Sequence, residues 1–158
     1  MQNETDKGAF GSTGYEGSVG ICGLAGLAFM SEGSSPGIGK FGKSVDGCAD
    51  FLCRMTSPEG YISREGAGGI GNMYAHGFAT LFLAMVYGMT RRREVGELRS
   101  AVKLTLSAQN DEGGWRYQPI PRDADLSVTV CQIMALRAAR DYAASTCPTR
   151  SASNASSM

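Results

Sequence analysis

The chain has 158 residues, balances 15 Lys+Arg against 15 Asp+Glu, and is 42% hydrophobic. That length suits one domain with a genuine core, and zero net charge excludes a general electrostatic binder of nucleic acid. The 22 glycines are about twice ordinary usage, and Gly8, Gly11, Gly14, Gly17, Gly20, Gly23 and Gly26 fall at every third position. Collagen needs that spacing together with abundant Pro. This run has no Pro and passes into an apolar stretch, so collagen is excluded.

Taken in order, residues 1–17 form a polar, Gly-rich segment without the basic start and apolar stretch of a secretory signal. No window is long and apolar enough to span a bilayer, and a cytoplasmic location is expected. Five segments then carry helical periodicity, and none reads as a strand. Val19 to Met30 is small and apolar. Phe41 to Met55 is amphipathic, with Val45, Ala49, Leu52 and Met55 on one face and Lys43, Asp46, Asp50 and Arg54 between them. Tyr74 to Met89 is apolar almost all round, the pattern of a buried helix. Glu94 to Gln109 is amphipathic, with Leu98, Ala101, Val102 and Leu106 on one side. Asp125 to Ala144 opens on an acidic cap and carries Val128, Cys131, Ile133, Met134 and Leu136. The repeat domain is placed at 18–143, and 144–158 is a Ser/Ala-rich tail expected to be disordered. Its Asn154-Ala155-Ser156 reads as a chance glycosylation string.

Buried and amphipathic helices alternate, which predicts two layers. The turn Ser57-Pro58-Glu59-Gly60-Tyr61 follows the second helix, and Asn110-Asp111-Glu112-Gly113-Gly114-Trp115 follows the fourth. Aligning Gly60 with Gly114 gives a repeat of 54 residues. One helix pair per unit of this size is the mark of an all-α repeat array, whose units bury their faces only by stacking. The five cysteines, Cys22, Cys48, Cys53, Cys131 and Cys147, show neither a disulfide framework nor paired zinc-ligand spacing. Reduced thiols are expected.

The stretch Val102 to Trp115, ending Gln109-Asn110-Asp111-Glu112-Gly113-Gly114-Trp115, resembles the QW repeat of squalene and oxidosqualene cyclases and protein prenyltransferase β subunits. Gly113 and Gly114 permit a left-handed turn at a helix end. Gln109 can then bond freed backbone groups while Trp115 folds back on the helix stems. The first repeat is degenerate, with Met55 in the place of Gln and Tyr61 in the place of Trp. Asp123-Ala124-Asp125-Leu126-Ser127-Val128 is similar to the cyclase DxDD segment, and Tyr74-Ala75-His76-Gly77-Phe78-Ala79-Thr80-Leu81 to an inner helix of bacterial relatives. The resemblance covers roughly residues 17 to 143 and implies an α/α toroid, here an incomplete barrel of about five helices. Helices one, three and five would be inner, and two and four outer.

The resemblance also implies an apolar cavity and an isoprenoid ligand. Asp125 matches the Asp that protonates an alkene or epoxide, and Asp123 the first Asp of the motif; Leu126 replaces the last. Such an acid must be held protonated in a dry pocket. The competing reading makes Asp125 a helix cap. Trp115, Tyr117, His76 and Phe78 are the candidate substrate-binding residues, through cation–π attraction for the aromatics; core packing explains them equally well. Asp46-Gly47-Cys48 contains the family's Asp-x-Cys zinc string but falls on an outer helix, and the inner position holds Asp125 and Ser127, without a thiolate. Neither metal nor cofactor is expected. Gly37-Ile38-Gly39-Lys40-Phe41-Gly42-Lys43-Ser44 satisfies the phosphate-loop pattern, which additionally requires a preceding strand. Arg91-Arg92-Arg93 reads as a solvated basic run.

Three functions follow: an isoprenoid-related domain performing acid-initiated polyprene cyclisation if catalytic; a non-catalytic helical-repeat scaffold; and, resting on the 37–44 string alone, a nucleotide-binding phosphate-loop protein. The scaffold would bind a protein or apolar ligand, or join copies of itself through open helical edges.

Overall fold

The computed structural model describes residues 4–6, 9–10, 17–64, 72–90 and 95–144. The expected tail, the Asn154 string, Cys147, Arg91-Arg92-Arg93 and Gly8, Gly11 and Gly14 lie outside them. Five helices carry the fold: α1 (Val19–Ser31), α2 (Gly42–Arg54), α3 (Asn72–Thr90), α4 (Val95–Ser107) and α5 (Leu126–Ala144). Two short antiparallel strands, β1 (Glu4–Asp6) and β2 (Ala9–Phe10), precede them and correct the expectation of a strand-free chain. Their brevity explains why no alternating pattern announces them. No helix of the described residues is long and apolar enough to cross a membrane.

The helices are arranged as their patterns require. α3, buried through Met73, His76, Ala79, Thr80, Phe82, Leu83, Ala84 and Val86, lies between α1 and α5 and packs most extensively on both. α2 packs on α1 and α3, and α4 on α3 and α5. Each amphipathic helix turns its apolar side inward, Val45, Cys48, Ala49, Phe51 and Leu52 in α2, and Leu98, Ala101 and Thr105 in α4. Leu106 departs from the expected face and is exposed, because Thr105 takes the inward position and satisfies its own hydroxyl against Ala101 O at 3.0 Å. Full burial of a side chain such as Phe82 contributes roughly 1.5–3 kcal/mol.

Glycines set the approach of α1 to α3. A Cβ on Gly20 would lie 2.9 Å from Ala75 Cα, one on Gly23 would lie 2.9 Å from Phe78 O, and one on Gly26 would overlap the Phe82 ring. Each Gly in a helix costs about 1 kcal/mol relative to Ala. Here that cost is offset by backbone contact between neighbouring helices. Gly77 of α3 instead makes room for side chains of α5, those of Cys131 and Gln132.

The period needs one correction. α2 and α4 are displaced by 53 residues at both ends. In the turns, Gly60 (φ +95°) corresponds to Gly113 (φ +85°), so Ile62 and not Tyr61 is the counterpart of Trp115. Hydrogen bonds fix this register. Ser57 N–H donates to Tyr61 O (2.9 Å) and Gly60 N–H to Ser57 O (2.9 Å), while Asn110 N–H donates to Gly114 O (3.0 Å) and Gly113 N–H to Asn110 O (3.0 Å).

Candidate functional site

The turn after α4 and the start of α5 bring together most of the polar side chains singled out in the sequence. Asn110 Oδ1 accepts the Gly114 N–H at 2.8 Å, and Gln109 Nε2 donates to Gly113 O at 2.9 Å, so both side chains close the helix end. Trp115 is 2% exposed and its Nε1–H donates to Thr105 O at 2.7 Å, tying the turn to α4. From Trp115 the chain runs to α5 under further restraint. Trp115 O accepts the Asp125 N–H at 2.8 Å, and Trp115 N–H donates to Thr129 Oγ1 at 3.1 Å.

Asp125 is the cap of α5. Its Oδ1 accepts the N–H groups of Ser127 (2.9 Å) and Val128 (3.2 Å) and the Ser127 hydroxyl, and Tyr117 OH donates to Oδ2 at 3.4 Å. The Ser127 hydroxyl and then the Val128 N–H hold its carboxyl below the usual carboxylate range. The group is therefore an anion at neutral pH, favourably placed at the positive end of the helix dipole. Asp123, two residues before Asp125, is engaged separately: it pairs with Arg116 on the surface, their side chains 60% and 48% exposed. Arg116 also stacks over the Tyr117 ring, 5.6 Å from its centroid. Arg116, Tyr117, Gln118, Ile120, Arg122 and Asp123 line a shallow, open depression.

His76 lies elsewhere. It is fully buried, Nδ1 accepts the Ile62 N–H at 3.2 Å, and Nε2 meets Thr105 Oγ1 at 3.0 Å. Since Thr105 Oγ1 donates to Ala101 O, Nε2 carries the proton and the ring is the neutral Nε2–H tautomer. Burial lowers its pKa to about 4. Both nitrogens are occupied by protein, leaving neither for a ligand or metal. Phe78 is half-buried on α3 and its backbone meets Gly23. Thus Asp123, Asp125, Trp115 and Tyr117 share one region, whereas His76 and Phe78 belong to helix–helix contacts.

The zinc and phosphate readings gain no support from the geometry. No group of three or more His, Cys, Asp or Glu positioned for a metal occurs among the described residues. The 37–44 loop follows helix α1 instead of a strand. Its amides bond within the loop, Gly37 N–H to Gly42 O (3.2 Å), Gly42 N–H to Gly39 O (3.3 Å) and Phe41 N–H to Ser34 Oγ (3.0 Å).

Two features were missed in the sequence. Thr105 and Thr129 act as hubs between repeats; Thr129 is the equivalent of His76, which only the spacing of 53 between those two reveals. The other is a stripe on α5. Leu126 is 81% exposed, Val130 46%, Ile133 52% and Met134 49%, so much of the apolar pattern of α5 faces outward. No family model, curated protein or solved structure matches the chain.

Proposed function

We propose that the chain is a non-catalytic repeat scaffold of the prenyltransferase/squalene-cyclase type, an arc of an α/α toroid that binds through its open helical edge. The observation that carries this reading is the state of Asp125. A cyclase acid must keep its proton near neutral pH, and that requires a carboxyl whose proton affinity is raised. The hydrogen bonds from Ser127 and Val128 act on Asp125 in the opposite direction. The resemblance to the DxDD segment is thereby reinterpreted as a helix start. The alternation of α1, α3 and α5 with α2 and α4 supports the repeat relationship, and the apolar stripe of α5 supplies a surface on which a scaffold can act.

Incubation with squalene, oxidosqualene and geranylgeranyl diphosphate, followed by mass-spectrometric product analysis, is expected to yield no cyclised polyprene. A cyclic product that disappears in Asp125→Asn overturns the scaffold reading and restores Asp125 as an acid.

A further inference from the structure

We draw no further inference here: the strongest candidate, the shallow depression lined by Arg116, Tyr117, Gln118, Ile120, Arg122 and Asp123 ahead of α5, belongs to the site already described, and with Arg116 paired to Asp123 nothing in it points to a ligand.

Discussion

At the end of α2, the Ser57 hydroxyl accepts the Tyr61 N–H at 3.2 Å, and His76 Nδ1 accepts the Ile62 N–H at 3.2 Å. At the end of α4, the Asn110 carboxamide accepts the Gly114 N–H at 2.8 Å, and Thr129 Oγ1 accepts the Trp115 N–H at 3.1 Å. The two junctions thus bind the same backbone groups with different side chains. A buried N–H must find an acceptor, and hydroxyl, amide and imidazole all provide one. What the repeat retains is the backbone demand. The surroundings differ: the first junction is enclosed against α4, while the second lies at the α5 end of the row.

The largest contrast is expected at the paired glycines. Both adopt positive φ, which costs an L-residue about 1–2 kcal/mol. A Cβ on Gly60 would also overlap the Ser100 carbonyl of α4, whereas one on Gly113 would meet only Gln109 Nε2 at 3.7 Å. Gly60→Ala should therefore cost roughly 4 kcal/mol, and Gly113→Ala about 1 kcal/mol. Urea unfolding followed by circular dichroism measures both. Equal losses would mean that the first junction is no more enclosed than the second.

These glycines also show how far the sequence could be read. The five helices follow from apolar spacing, and the ends of each lie within about two residues of the expected ones. Gly113-Gly114 offers two partners for Gly60, which is why the sequence suggests 54 residues; the helix ends, the turn hydrogen bonds and the φ angles select Gly113 and a period of 53. Gln109 and Trp115 act at the junction as their types suggest. His76 could not be placed from the sequence, since its partner at Nδ1 is a backbone N–H that no side-chain pattern reveals. The stripe on α5 was hidden for a related reason. Periodicity identifies apolar faces, but it does not say which of them lacks a neighbour.

Acidification should separate the junctions next. The folded state holds His76 neutral, with a pKa of about 4 against 6.5 for the free side chain. The unfolded chain binds a proton first as pH falls. Stability from this site is therefore complete above pH 6.5 and is lost progressively down to about pH 4, by about 3 kcal/mol in all. Thr129, its counterpart, does not titrate. His76→Gln should flatten that part of the stability–pH curve. As the chain has one His, proton NMR should also show a single imidazole that does not titrate between pH 7 and 5. A normal titration near 6.5 would place the ring in contact with water and break the comparison.

The smallest effect tests whether an acceptor alone is what the turn requires. Ser57 and Asn110 hold equivalent places, so Asn110→Ser should retain the bond to the Gly114 N–H and lose only the long contact of Nδ2 with Arg122 O (3.4 Å). Asn110→Ala leaves that N–H, which belongs to a buried residue, without its acceptor, and should cost about 1 kcal/mol. The Ser variant should cost roughly half as much or less. Denaturant midpoints of the three proteins resolve the order. If Ser and Ala prove equally damaging, the reach of the carboxamide matters more than its acceptor oxygen, and the two turns are alike in backbone geometry without being interchangeable in chemistry.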